Sequence, residues 1–202
     1  MPADSEQAIW LDADVVVQGD VAELADSVMQ HPSKTIAFAK YPGSQYGFSG
    51  AYSIMSDLTN QSWGKANLEQ RVLQHPVWNA GVLGFNMLHM REHRLRKQAL
   101  HWIQLNADVG LARNGGSQTP LDLAALVHPD EPEDPFIEVD PSWNCWWGFL
   151  GKLRTDAELL DCKVIHFAGA DKPWNSGPGE HISPAASERW FAAAKRAKDY
   201  FA

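Results

Sequence analysis

The apolar positions of this chain fall into short dense runs, separated by stretches where they recur every three or four residues. The run from Ala8 to Leu11 leads into Asp12-Ala13-Asp14, and Val15, Val16 and Val17 follow. β-Branched and aromatic density of this kind predicts a buried strand with two carboxylates in its middle. Gly19 ends it, and Asp20 caps a helix whose apolar side is Val21, Leu24, Ala25 and Val28, with Pro32 as its stop. Thr35 to Ala39 reads as a strand, and Trp78 to Asn86 begins another. Met90 to Leu105 reads as one helix, with Leu95, Ala99, Trp102 and Ile103 as the apolar side. Its Arg91, Arg94, Arg96 and Lys97 read as a solvated face. Gly115-Gly116 breaks the chain, and Ser117 or Thr119 caps a helix with Pro120 in its first turn. Ile137 to Asn144 and Val164 to Phe167 read as the last strands. A helix over about 183–202 follows from Ser183-Pro184, its stripe of Trp190, Phe191, Ala194, Ala197 and Phe201 expected to dock on the core. Strands interleaved with helices predict an α/β fold, and 202 residues fit one domain or one and a small lobe, read as a single domain, 1–202.

Three stretches interrupt the pattern. Residues 41–65 mix Gly, Ser and Asn with Tyr41, Tyr46, Phe48, Tyr52 and Trp63, and read either as an acceptor-binding or lid loop or as an irregular surface excursion. Asn67 to Gln74 has a short helical pattern, and residues 128–135 form an acidic, Pro-rich loop.

Composition narrows the class. A hydrophobic share of 45% suffices for a full core, and a net charge of −8 argues against a nucleic-acid footprint. Nine tryptophans are many for this length; most are expected in the core, with one or two lining a pocket. Cys145 and Cys162 make neither a disulfide framework nor a zinc pattern, and Cys145 beside Trp146 and Trp147 reads as a buried free thiol. The first residues are acidic and polar, no apolar run nears the ~20 residues that cross a bilayer, and a soluble, cytoplasmic chain is the default.

The acid pair carries the first candidate chemistry. Strand geometry puts Asp12 and Asp14 on one face and Ala13 on the other. Two like charges that close call for a cation between them, or for one carboxyl to stay protonated, and a divalent metal on hard oxygen ligands meets that need. The plain alternative is a strand end whose aspartates cap the following helix.

The other end of the chain supports the metal. Lys163 to Trp174 reads Lys-Val-Ile-His-Phe-Ala-Gly-Ala-Asp-Lys-Pro-Trp: an apolar strand delivers His166, then Gly169, then Lys172-Pro173-Trp174. Here the chain resembles glycosyltransferase family 8, the retaining group that includes glycogenin and bacterial galactosyl- and glucosyltransferases. That family carries Asp-x-Asp after an apolar strand and a late His-x-x-Gly-x-x-Lys-Pro-Trp, and both stand here in that order.

The resemblance implies a GT-A-like mixed sheet flanked by helices and a hexosyltransferase acting on a UDP-sugar and a glycan or other hydroxyl acceptor. It implies Mn²⁺ or Mg²⁺ on Asp12, Asp14 and His166, and a diphosphate neutralised by Lys172 and backbone amides near Gly169. Asn79-Ala80-Gly81 matches the family's Asn-Ala-Gly, which implies sugar contact by Asn79 and close backbone approach at Gly81; the plain alternative is a β-bulge with a capping Asn. Where the family has Asp-Gln-Asp-x-Leu-Asn, this chain has Ser117-Gln118-Thr119-Pro120-Leu121-Asp122. Gln118 keeps the polar group expected beneath the sugar's reactive carbon, while Ser117 cannot be a carboxylate. Pro141-Ser142-Trp143-Asn144 resembles the family's short Trp-Asn segment. Only eleven residues precede Asp12, where the family has a nucleotide-binding lobe, so the fold is expected to be N-terminally truncated, with a partner chain able to supply that lobe. Two rival readings stand beside this one. The chain is a noncatalytic or split remnant that binds sugar or a partner, or Asp12-Ala13-Asp14 is the first motif of a haloacid dehalogenase-type phosphatase.

Overall fold

The computed structural model describes residues 4–40, 78–92, 94–109, 118–126, 135–146, 156–169, 172–175 and 182–201. The stretches 41–65 and 128–135 and the helical pattern at Asn67 to Gln74 lie outside the described residues.

Two sheets share the seven described strands. The larger has the order β1-β4-β3-β5, built from β1 (Gln7–Leu11), β4 (Trp78–Asn86), β3 (Ile36–Lys40) and β5 (Phe136–Val139). β4 runs antiparallel to both β1 and β3, and β5 runs parallel to β3. The smaller has the order β2-β7-β6: β7 (Val164–His166) lies between antiparallel β2 (Val15–Val17) and parallel β6 (Cys145–Trp146). With the helices described below, this is the mixed α/β architecture expected.

The larger sheet is covered on both faces, and the sequence of β3 shows how. Ile36 and Phe38 enter a cluster with Trp78, Leu83, Trp102, Leu123 and Phe136. Ala37 and Ala39, on the other face, meet Leu24, Val28, Val82 and Ile137. Large residues face α3 (Leu95–Val109) and α4 (Gln118–Leu126); small ones let α1 (Val21–Met29) come close. Gly84 of β4 belongs to this close approach, because a Cβ there would lie 2.6 Å from Val28 Cγ2. Asp20 caps α1 as expected, its Oδ1 accepting from the Ala22 N–H at 3.0 Å.

Several elements depart from the pattern. The run around Asp12 is not one strand: β1 ends at Leu11 and β2 starts at Val15. Asp12-Ala13-Asp14 is the joint where the chain leaves the larger sheet for the smaller, so the two runs serve different partners. The expected helix from Met90 to Leu105 is two, α2 (Met87–Glu92) and α3, with Arg94 between them at φ 53°. Asn86 starts α2 by accepting from the His89 N–H at 3.0 Å, and α3 then turns Leu95, Ala99 and Trp102 onto the core. Arg91, Arg94, Arg96 and Lys97 are exposed, as a solvated face requires. After β5 the chain does not stay extended to Asn144: Asp140 accepts from the Ser142 N–H at 2.8 Å and starts a 3₁₀ turn over Pro141–Asn144.

The cysteines also differ from expectation. Cys145 and Cys162 are buried but form a disulfide, with Cα atoms 6.0 Å apart. Cys145 sits opposite Ile165 in the β6–β7 ladder, and the Lys163 N–H donates to Ser142 O at 2.8 Å. Strand pairing therefore brings together two residues 17 apart, and a count of cysteines carries no such information. Disulfides belong to oxidising surroundings, a setting the cytoplasmic default does not share.

The short helix α5 (Asp156–Leu160) adds Leu159 to the core of the smaller sheet. The final helix, α6 (Pro184–Phe201), docks through residues 184–193: Ser183 Oγ accepts from the Ala186 N–H, and Ala185, Ala186, Trp190 and Ala193 pack on the smaller sheet. Phe191 and Phe201 of the expected stripe face outward, Phe201 at 85% exposure. Among the described tryptophans, Trp78, Trp102 and Trp143 fill core, while Trp10 and Trp174 are exposed. No described helix is long and apolar enough to cross a membrane.

Candidate metal centre

The joint between the sheets is held by backbone bonds from both. The Asp12 N–H donates to Gly81 O at 2.8 Å, extending the β1–β4 ladder by one residue. The Phe167 N–H donates to Asp14 O at 2.9 Å, tying the second aspartate to the end of β7. Asp12 and Asp14 are thus fixed to the strands that carry Gly81 and His166. All three residues of β7 are buried, and His166 is 1% exposed.

His166 Nε2 faces both carboxylates, at 3.3 Å from Asp14 Oδ1 and 3.8 Å from Asp12 Oδ2. One ligand atom from each of the three residues lies within 4.8 Å of the others. Two carboxylates and one imidazole suit a divalent cation such as Mn²⁺ or Mg²⁺. Burial holds the His166 pKa below its usual 6.5, against the raising effect of Asp14 and Asp12, and Lys172 adds to the lowering. The neutral imidazole this favours is the form that ligates metal.

Lys172 comes from the loop after β7. Its Nζ pairs with Asp14 Oδ2 and donates to Phe167 O at 2.6 Å. The lysine and Asp14 side chains are both mostly buried. The expected diphosphate-facing lysine therefore stands beside the acid pair. Gly169 is exposed at φ +102°, with nothing within 4 Å of a Cβ position, so the requirement there is one of backbone conformation alone.

Asn79, Ala80 and Gly81 lie on β4 next to the joint. Asn79 Oδ1 accepts from the Gly81 N–H at 2.8 Å and from Asn144 Nδ2 at 3.2 Å. That oxygen is occupied within the protein. At Gly81, an added Cβ would lie 1.9 Å from His166 Cε1: the space a side chain would need is filled by the imidazole. Gln118 opens α4, remote in sequence from the joint, and only its backbone is described.

Two residues at the site were not singled out by spacing. Trp10 Nε1 donates to Asp12 Oδ1 at 2.8 Å from an indole that is 54% exposed. Asn144 Oδ1 lies 2.9 Å from His166 Nδ1. Asn144 stood in the segment that resembles the family's Trp-Asn, without a role; a further signal was that a polar residue between Trp143 and Cys145 in an apolar stretch needs partners once buried.

A buried imidazole meeting an acid pair at a sheet joint, with a lysine on its flank, defines a candidate divalent-metal centre of an α/β protein. The chain belongs to glycosyltransferase family 8, whose profile, Glycosyl transferase family 8, matches residues 3–177. Among curated relatives, human glycosyltransferase 8 domain-containing protein 2 is 25% identical over 181 residues, covering 84% of this chain and 50% of that protein. Bovine glycosyltransferase 8 domain-containing protein 1 is 25% identical over 186 residues, covering 84% of this chain and 47% of that one. The chain thus spans about half the length of the curated relatives it matches. Among solved structures, the galactosyltransferase LgtC in complex with donor and acceptor sugar analogs superposes with a TM-score of 0.56 at 17% identity, covering 96% of this chain and 62% of that one. GlyE of Streptococcus pneumoniae TIGR4 gives 0.55 at 16%, covering 98% and 42%. These likenesses establish a GT-A-type fold.

Proposed function

We propose that this chain carries the donor site of a metal-dependent, retaining hexosyltransferase that moves a sugar from a UDP-sugar to a glycan or other hydroxyl acceptor. The single observation that carries the reading is the convergence of Asp12, Asp14 and His166 beside Lys172. Family membership supports glycosyl transfer, and the LgtC complex supports sugar substrates for that relative. The same membership leaves the phosphatase reading without support.

A bound Mn²⁺ or Mg²⁺ would act as a Lewis acid on the diphosphate and stabilise the charge that builds there as the sugar leaves. Asp12, Asp14 and His166 would hold it. Lys172 supplies a second fixed positive charge against the same leaving group, and its bond to Phe167 O limits where the ammonium can go. In the reaction proposed, the bond between the sugar's anomeric carbon and the phosphate oxygen breaks. The acceptor oxygen bonds to that carbon on the same face, and the acceptor's proton passes to the leaving phosphate oxygen. Gln118 is assigned to the opposite face of the sugar. With Asn79 Oδ1 occupied, the hydrogen bond Asn79 can offer a sugar hydroxyl is a donated one from Nδ2.

The test is a screen of nucleotide-sugar hydrolysis and transfer with and without Mn²⁺, comparing the wild type with Asp14→Ala and His166→Ala. Metal-dependent turnover lost in both variants supports the reading. Mn²⁺ binding with no turnover of any UDP-sugar would favour the noncatalytic or split form, which binds sugar or a partner. Absence of both would overturn it.

A further inference from the structure

The acid pair and His166 account for the ligand set, but not for which nitrogen of the imidazole carries the ring hydrogen. We infer that Asn144 is the positioning residue that fixes the His166 tautomer, donating nothing to the ring and accepting its Nδ1–H. The inference rests on the metal-centre reading above and adds to it the residue that orients the imidazole.

The orientation of the Asn144 amide is fixed by its neighbours. Asn144 Nδ2 lies 3.1 Å from the Asn79 backbone oxygen, which can only accept. It also lies 3.2 Å from Asn79 Oδ1. That atom is itself identified as the oxygen, because the Gly81 N–H donates to it at 2.8 Å. Turning the Asn144 amide over would set its oxygen against two acceptors. The nitrogen therefore faces Asn79, and Oδ1 faces His166 Nδ1 at 2.9 Å. An amide oxygen only accepts, so Nδ1 must carry the ring's hydrogen. In the neutral ring Nε2 is then bare, and it points at Asp14 Oδ1 and Asp12 Oδ2.

Lys172 pairs with Asp14 Oδ2 and the Trp10 indole donates to Asp12 Oδ1, so the oxygens turned toward Nε2 are the other two, and three acceptors facing one another repel unless a cation joins them. The network thus prepares the centre for a metal and disfavours the competing arrangement, in which Nε2–H simply donates to Asp14. Asn144 is buried, and Gly81 gives the ring its room on β4. A relay from the Gly81 N–H through Asn79 and Asn144 to His166 joins the larger sheet to the smaller. Histidine ligands of metals commonly have such a partner on the other ring nitrogen, and its loss typically weakens binding by about 10- to 100-fold.

The experiment reads imidazole ¹⁵N shifts of the metal-free chain at pH 8, together with Mn²⁺ affinity by calorimetry. Wild type should show His166 protonated at Nδ1 and bare at Nε2. Asn144→Leu, which removes the acceptor, should shift the ring toward the Nε2–H form and weaken Mn²⁺ binding by about 10- to 100-fold. Asn144→Asp keeps an acceptor toward Nδ1 and should keep the wild-type tautomer. An Nε2–H tautomer in the wild type would overturn the inference without recourse to any variant. So would an Asn144→Leu chain that binds Mn²⁺ within twofold of wild type. If the wild type binds no Mn²⁺ and transfers no sugar, the proposed function fails, and the wild-type tautomer still decides the role of Asn144.

Discussion

The two sheets of this protein are held together by different means. The larger is an apolar sandwich: β3 and β4 present large side chains to α3 and α4 and small ones to α1, and packing on both faces specifies it. The smaller has three short strands, and two of its fixed points are a disulfide and a buried Asn–His pair. The metal centre belongs to neither alone. Its acids stand where the chain crosses from one sheet to the other, and its imidazole ends the central strand of the smaller. Rigid support from the larger sheet and a polar lock in the smaller are both needed to bring three ligands to one point.

Removing the disulfide gives the largest effect expected. Closing a loop with a sequence separation of 17 is worth about 3 kcal/mol in the chain-entropy account. The double change Cys145→Ala, Cys162→Ala should lower unfolding stability by about that amount in urea titration. Hydrogen exchange should show β6 and β7 loosening before β3 and β4; uniform loosening would mean the two sheets are not distinct in the way described.

Two glycines on one strand sharpen the contrast. Gly84→Ala meets Val28 on α1, and Gly81→Ala meets the His166 ring. Both should destabilise by about 1–3 kcal/mol as overpacked sites. Calorimetry should find Mn²⁺ affinity near wild type in Gly84→Ala, and at least about tenfold weaker in Gly81→Ala, where the ligand itself must move. Equal affinities would break the assignment of Gly81 to the metal centre.

The smallest effect is in pH. His166 has its pKa lowered by burial, so the unfolded chain takes up a proton near pH 6.5 that the folded chain does not. Stability of the metal-free protein should then fall as pH drops below 6.5, by at most about 1.4 kcal/mol per unit, until the folded imidazole also protonates. His166→Gln should remove that dependence from thermal melts taken across the range.

Much of this was legible in the sequence, and the gaps have physical causes. Asp12 and Asp14 were visible because two carboxylates interrupt an apolar run, where burial demands a partner; His166 was visible through the resemblance of Lys163 to Trp174 to the family's late motif. The joint was not visible: β1 and β2 are both apolar runs, and nothing in the sequence says that they pair in different sheets. The break at Arg94 carries no Gly or Pro, and follows from α3 turning its own apolar side onto the sheet. The disulfide and the Asn144–His166 contact depend on β6 lying beside β7, a long-range pairing that spacing does not encode. The sequence pointed to close approach at Gly81, and the His166 imidazole is packed against that glycine.

One titration tests the shared metal centre most directly: Mn²⁺ added to the wild-type chain and to Asp12→Ala, Asp14→Ala and His166→Ala, followed by calorimetry. A shared centre predicts one ion per chain in the wild type and at least about tenfold weaker binding in each variant. Mn²⁺ binding that none of the three changes disturbs would contradict it.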